Sequence, residues 1–430
     1  MKRFFLLLVF AASLLYADDT VSSVRRELDY QLRDSVDNTG NLYIRYMAQH
    51  PSVLTQVNGD ASVTVCCADT AAKMTHIYEF SADLQERKTL SFRNELDKLG
   101  AFTKDSEGNY YFFYGTQTQD KNANNMAMVK YDKDGNKIKT FRLKANPPNS
   151  MDGIKSPFDA GTCRLELSGS MLAVYFARLM FSGHQASYGF VLDKDSFERI
   201  DKGAAINHNM GNNTQMPYAS HSFNQFILPV DSGFVFADHG DAYPRSFTFA
   251  GFENGKDTRR LHAFKFPGAP GQNATYAEMG GLVKSSTGYI FTGTYAKDVN
   301  TVRNLFMLSM DKNLSSCTAP LFLSDYTKEE GHAGHPKIVE LGRESRRYLL
   351  MWEMFKFSTQ AANVILSTPS GFLSTFMTVI DEQGNPLAEI KELKDIRLNM
   401  NDVPRYSNGK VYWTINDSPG SFTVYALKAE

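Results

Sequence analysis

Cysteine is scarce in this chain. There are four in 430 residues, Cys66, Cys67, Cys163 and Cys317, and no C-x-x-C pair. A zinc-ribbon type of site and a dense disulfide framework both lack their residues. Net charge is nearly absent too, with 46 Lys and Arg against 47 Asp and Glu and a formal charge of −1. No basic footprint for nucleic acid follows from that balance. Long apolar runs are missing from the body of the chain, so no segment there matches the roughly 20 residues of a membrane-spanning helix. The one apolar run, Phe4 to Leu15, follows Lys2 and Arg3 and leads to Ala17. That is the layout of a signal peptide. We read residues 1–17 as an export signal and 18–430 as one domain delivered to the periplasm or the extracellular space. No cysteine stands near the cleavage point, so a lipoprotein anchor has no attachment residue.

What the chain has is aromatic content, 13%, and a recurring turn. In Leu99 to Leu143 two hairpin signals, Asp105 to Gly108 and Asp132 to Gly135, are flanked by alternating residues. Tyr110, Phe112 and Tyr114 fall on one face of the strand after Gly108; Tyr111, Phe113 and Gly115 fall on the other. Both faces are bulky, as in a strand covered on both sides. The first turn recurs before Asn41–Ile44 (Gly40), Met171 (Gly169), Phe234 (Gly233), Tyr289 (Gly288) and Val411 (Gly409), and, without glycine, at Glu344–Arg347. The second recurs at Ser81–Asp83, Asp193–Asp195, Glu253–Gly255, Asp311–Asn313 and Asp381–Gly384. Self-similarity at about 60 residues marks a repeat architecture.

Two hairpins per unit give four strands, and seven units predict an all-β fold, a seven-bladed β-propeller of four-stranded antiparallel blades. The chain resembles that architecture across nearly its whole length, but no functional family within it. Only Trp352 and Trp413 exist, neither followed by Asp, which sets it apart from WD40 repeats and from pyrroloquinoline-quinone propellers. Sialidase turn boxes place Gly two residues after Asp; here Asp105 and Gly108 are three apart. The last unit lacks an outer strand, and Thr20 to Leu28 is the segment available to supply it. Tyr30 to Val36 then reads as the first inner strand, and Ala48 to Lys73 as an excursion with an extra strand pair around Asn58-Gly59. Cys163 and Cys317 fall too far apart to bond; Cys66 and Cys67 read as a vicinal disulfide or as two buried thiols.

Alternating strand direction puts the two short turns of each unit on one face and the long, variable loops on the other. Variable loops on a rigid frame are where binding sites gather. That face collects Arg178 and His184, His221, the run Asp238 to Arg245 with His239, Asp241, Tyr243 and Arg245, the run Gly331 to Lys337 with His332, His335 and Lys337, then Trp352-Glu353, and Arg405. His208 falls there too. Each residue has a plainer reading: Asp241 to Arg245 as a turn with a local ion pair, Glu353 as a strand-end residue. His332 and His335 suggest a metal pair, but H-x-x-H in a glycine-rich loop is a far weaker signal than H-E-x-x-H on a helix. We assign no metal and no cofactor.

Two functional readings follow. The first is an exported binding protein that recognises a ligand, glycan or protein partner through Arg178, His221, His239, Asp241, Tyr243, Arg245, His335, Lys337, Glu353 and Arg405, without catalysis. The second is a carbohydrate-active hydrolase or lyase with Glu353 and Asp241 as the acid–base pair, which needs both carboxylates on one cleft.

Overall fold

A computed structural model of the chain describes residues 20–32, 52–148, 150–201, 219–272, 275–298, 300–357 and 371–429. The described residues form antiparallel sheets and no α-helix. β1 (Val21–Glu27) stands apart at the start. β2 (Val53–Val57), β3 (Val63–Asp69), β4 (Met74–Phe80) and β5 (Glu86–Arg93) pair in chain order as one sheet, and β6 (Lys98–Lys104), β7 (Tyr110–Gly115), β8 (Asn124–Tyr131) and β9 (Lys137–Lys144) as the next. An eight-stranded sheet follows. It holds β10 (Ser156–Pro157), β11 (Cys163–Ser168), β12 (Met171–Leu179) and β13 (Gln185–Asp193), then β14 (Ser220–Val230), β15 (Gly233–Ala242), β16 (Ser246–Glu253) and β17 (Lys256–Lys265). Its halves are joined by the single pair Ala186↔Ser220. Two more four-stranded sheets are β18 (Ala277–Lys284) to β21 (Leu321–Phe322), through β19 (Gly288–Tyr295) and β20 (Asn304–Asp311), and β22 (His332–Glu340) to β25 (Lys391–Leu393), through β23 (Tyr348–Phe355) and β24 (Phe372–Ile380). The last contains β26 (Arg405–Ser407), β27 (Lys410–Ser418) and β28 (Ser421–Lys428), and its outermost strand is β1. Four-stranded meanders repeated along the chain are the blades of a β-propeller.

Strand β7 shows why the pattern works. All six of its residues are buried. Tyr110, Phe112 and Tyr114 enter one apolar core, with Cys66 and Phe92 of the preceding sheet. Tyr111 and Phe113 enter the opposite core, with Phe158, Phe176 and Phe190 of the next. Period-two alternation therefore feeds two interfaces from one strand, and each buried aromatic contributes roughly 1.5–3 kcal/mol. Gly115 has no room for a side chain, since a Cβ there would lie 2.4 Å from Pro157 Cγ. Further cores join each sheet to its successor in the same way, and one joins Val63, Val65 and Tyr78 of the first sheet to Tyr412 and Phe422 of the last.

The turns follow a common chemistry. In Asp105-x-x-Gly-Asn109 the Asp105 carboxylate accepts the N–H groups of Glu107 and Asn109 at 3.0 and 2.8 Å and the Asn109 amide at 2.9 Å. Asp132 and Asp381 repeat the bonds to Asn136 and Asn385. The glycines of the three turns have φ of 82° to 90°, where a Cβ is penalised.

The first unit differs from expectation. Residues 33–51, with the Gly40 turn and most of the proposed strand Tyr30 to Val36, lie outside the described residues. The hairpin around Asn58-Gly59, expected as an excursion, is the β2–β3 hairpin of the first sheet. Its β-branched strands and polar turn have the same pattern as the other units, so turn spacing alone could not rank the two candidates. The segment proposed for the outer strand of the last sheet does take that place, paired from Val21↔Leu427 to Glu27↔Ser421. All four cysteines are free thiols. Cys66 and Cys67 point to opposite sides of β3 and into different cores, which leaves them no common side on which to bond.

Candidate functional site

Among the described residues, those singled out stand near the starts of first strands and the ends of second strands. Their setting differs from expectation. Asp238 to Asp241, His332 to Lys337 and Trp352-Glu353 lie within β15, β22 and β23, not in loops. Arg178, His239, Asp241, Arg245, His335, Lys337 and Glu353 are buried, and only Tyr243 is widely exposed, at 51%. Sequence reading placed them in loops because Gly, Pro and charged residues are turn formers; here the sheets run further and shelter those charges in pairs.

One group forms on β14 and β15. His221, at φ 48°, brings Nδ1 within 3.4 Å of Asp241 Oδ2. Asp241 is fully buried and pairs with the Arg245 guanidinium, which also donates from Nε to the Pro267 carbonyl at 2.8 Å. His184 lies 5.1 Å from His221, ring to ring, and its Nε2 is 2.5 Å from Ser220 Oγ. Burial, then the neighbouring His221 and Arg178, lowers the His184 pKa. Tyr243 adjoins this group at the surface. His239 stands deeper, 2.8 Å from Thr275 Oγ1 and packed on Phe247 and Phe266. Burial, helped by Arg245 and Arg303, pushes it down to about 3.

A second group forms on β22 and β23. The Glu353 carboxylate meets His335 Nδ1 at 2.6 Å, Arg397 Nε at 2.9 Å and the Leu398 N–H at 2.6 Å. Burial alone would raise Glu353, but His335 and Arg397 outweigh it and hold the carboxyl at about 2. Glu278 of β18 accepts the His335 N–H with both oxygens, at 3.0 and 3.1 Å, and lies 3.7 Å from Arg303. His332 turns elsewhere, its Nδ1 accepting the Arg303 N–H at 3.0 Å, so the two histidines do not converge.

A third set spans several sheets. Lys337 Nζ donates to the Met400 carbonyl at 3.1 Å, and burial, against the pull of Glu278, brings it down to about 8. Arg164 of β11 donates to the carbonyls of Gln225 and Asn401. Arg405 reaches Glu166 at 2.6 Å and the Thr55 carbonyl at 3.2 Å, and Asp402 takes the Thr55 N–H at 2.7 Å. Residues 400–405 thus touch first strands from three other sheets. Arg178 lies beside His184 of the first group and donates to the carbonyls of Ser150 and Gly153, at 2.7 and 2.8 Å. His208 lies outside the described residues.

Sequence reading missed Glu278, Arg303, Arg397 and Arg164. The first carried a usable signal, a lone carboxylate inside the apolar strand Ala-Glu-Met-Gly-Gly-Leu-Val. Arg164 carried one too, in Cys-Arg-Leu-Glu-Leu. A charge on the buried side of a strand needs a partner.

Asp238 supplies a pH test. Burial raises its carboxyl to about 7, although Ser222 and Tyr175 each donate to it at 2.7 Å. Its folded value exceeds the unfolded one, so the folded chain binds the extra proton between about pH 4 and 7. Stability therefore falls as pH rises through that window, by a contribution on the order of 4 kcal/mol. Asp238→Asn, which imitates the protonated form, should flatten this part of the urea-denaturation profile. An unchanged slope would mean another group titrates.

No known family model matches the sequence, and no curated protein matches it. Solved structures do resemble it in shape. The β-propeller domain of the Trilobed protease from Pyrococcus furiosus shares 10% identity at a TM-score of 0.44, over 88% of this chain and 96% of that one. A duf4221 family member from Bacteroides vulgatus shares 9% at 0.39, over 95% and 96%. A Trypanosoma rangeli sialidase shares 10% at 0.40, over 83% and 59%. Likeness at this level carries nothing about chemistry.

Proposed function

We propose that this chain is an exported, closed seven-bladed β-propeller that binds a glycan or other ligand, or a protein partner, at the end of the sheets where His184, His221 and Tyr243 reach the surface, and that it does so without catalysis. The blade count takes the eight-stranded sheet as two units at its single Ala186↔Ser220 link. Closure is supported by β1 pairing with β28 and by the core common to the first and last sheets. Export rests on the layout of residues 1–17.

The observation that carries the binding reading is the contrast at this end of the molecule. Tyr243 and His221 reach solvent, while Asp241 and Arg245 beneath them are buried and paired to each other. A fixed polar base under an exposed aromatic ring suits recognition, because little order is lost on binding. The hydrolase alternative needs Asp241 and Glu353 to share proton transfer. Both are committed to guanidinium groups, and Glu353, held at about 2, has no proton to give near neutrality.

The test is binding of the mature chain to a glycan array and to proteins of its export compartment, followed by Tyr243→Ala and His221→Ala. Each should weaken the interaction about tenfold or more, as for anchor residues, with unchanged unfolding. Partners bound equally by both variants would put the site elsewhere, and turnover of chromogenic glycosides would favour the hydrolase.

A further inference from the structure

Charge is unevenly placed on the outermost strands. β1, β5 and β9 each end a sheet, and together they carry nine Lys and Arg against two Glu. β9 alone reads Lys-Ile-Lys-Thr-Phe-Arg-Leu-Lys, with no acid in it. β21 and β25 hold the same place in two other sheets, and as Leu-Phe and Lys-Glu-Leu they carry no net charge. The whole chain has a formal charge of −1, so the excess is a matter of place and not of composition.

The three basic strands are neighbours in space. Arg26 of β1 lies 3.4 Å from Glu86 of β5. Lys88 of β5 donates to the Lys133 carbonyl in the turn before β9. Glu95, just after β5, receives both Lys137, at 2.7 Å, and Arg142 of β9. The cations therefore form one band across three sheets. Glu27, Glu86 and Glu95 are each taken up by a cation of the band itself. The turn before β9 adds Asp132, Lys133 and Asp134, which lowers the excess by one charge and leaves it standing. Arg87, Arg93 and Lys144 are exposed and pair with no carboxylate among the described residues.

Edge strands carry charge to deter other strands from joining the sheet. Glutamate serves that end as well as lysine, and ordinary surfaces mix the two signs. A band of one sign does something more, because it concentrates anions beside it. Single surface ion pairs are weak, so recognition here needs many at once, as a polymer supplies. The band also follows the outside of successive blades. A flat lipid surface meets only part of such a path, whereas a flexible chain can follow it.

We propose that the β1–β5–β9 band is a docking surface for an acidic polysaccharide, a linear glycan with a carboxylate or sulfate on its repeating units. It is separate from the His184, His221 and Tyr243 surface, and shares with the reading above only the export that brings the chain to such glycans.

The experiment measures binding of the mature chain to heparin, as the sulfated probe, and to alginate, as the carboxylated one, over a series of salt concentrations. Binding to either supports the proposal and tells which anion is preferred. One variant combines Arg87→Gln, Arg93→Gln and Lys144→Gln. It should bind about tenfold or more weakly at low salt, and its slope of log affinity against log salt should fall by about three, roughly one for each cation removed. A control combines Lys312→Gln, Lys391→Gln and Lys394→Gln, which removes the same charge from exposed positions near β21 and β25. It should bind as the parent does. Equal losses in the two variants would reduce the effect to net charge and overturn the proposal, as would no binding to either polymer. Tighter binding to phosphatidylglycerol vesicles or to duplex DNA would overturn the partner class. Loss of polymer binding in Tyr243→Ala, with the band variant unaffected, would move the polymer to the other surface; this inference then falls while the binding reading stands. Should the band variant not fold, acetylation of the parent chain decides. Bound polymer should shield Lys139 and Lys144 and leave Lys312 and Lys391 reactive, and equal shielding of all four would end the proposal.

Discussion

Glu353→Gln is expected to lower unfolding stability by about 3–5 kcal/mol, the range for removing one partner of a buried ion pair. The substitution keeps shape and removes charge. Arg397 then stays against Phe372 without its carboxylate, while the Leu398 N–H and His335 Nδ1 lose an ionised acceptor. A matched control shows that burial sets the scale. Lys73 and Asp97 also meet at 2.6 Å, but both are half-exposed, and Asp97→Asn should cost less than about 1 kcal/mol. Urea denaturation of both variants, with unchanged m-values, makes the comparison; equal losses would remove the buried-hub account of Glu353. The pH dependence has a definite sign. The folded carboxyl is depressed to about 2, so its contribution is present above the ordinary glutamate range and is lost as pH falls from about 4.5 toward 2. Glu353→Gln should show less acid destabilisation than the parent across that interval.

Deleting residues 18–28 is expected to have a larger effect, because those residues act at two sheets. β1 pairs with β28 over seven residues, and Lys428 and Leu28 extend the ladder by bonds to Thr20 and Gly420. On its other side Arg26 lies 3.4 Å from Glu86 and over the Tyr78 ring. Tyr30, just beyond, stacks on His76 at 4.4 Å and bonds Tyr78 at 3.1 Å. Without β1, the edge of β28 is bare, and an unpaired edge is a template for another chain. The deletion variant should therefore elute as oligomers or aggregate, and a synthetic peptide of residues 20–30 should restore the monomer by adding back the strand. A stable monomeric deletion variant, unresponsive to the peptide, would show that β1 is not needed to close the structure.

Particular residues show where reading the sequence succeeds. The alternation in Asn109–Thr116 announces a strand with two bulky faces, and Tyr111 and its neighbour Phe112 do enter separate cores. Asp132-x-x-Gly and Asp381-x-x-Gly announce turns, and both are closed by the carboxylate on the backbone that follows. The segment Thr20 to Leu28 goes to the last sheet because one strand is missing there, and β1 fills that place. Reading fails in the first unit, where two turn candidates compete and the one at Asn58 belongs to the sheet.

Strand period, turn chemistry and repeat length are local properties, set by φ, ψ and the next few side chains, so the amino-acid order alone determined the blades and the end of the sheets to which polar residues run. Partnership between charges hundreds of residues apart is not local. That Arg164 meets Asn401, that Arg405 meets Glu166, and that Glu353 is a buried hub and not a reactive carboxylate were decided only when sheets packed together, because burial and a partner's position set the ionisation and energy of a charged group, and neither is written in its neighbours along the chain.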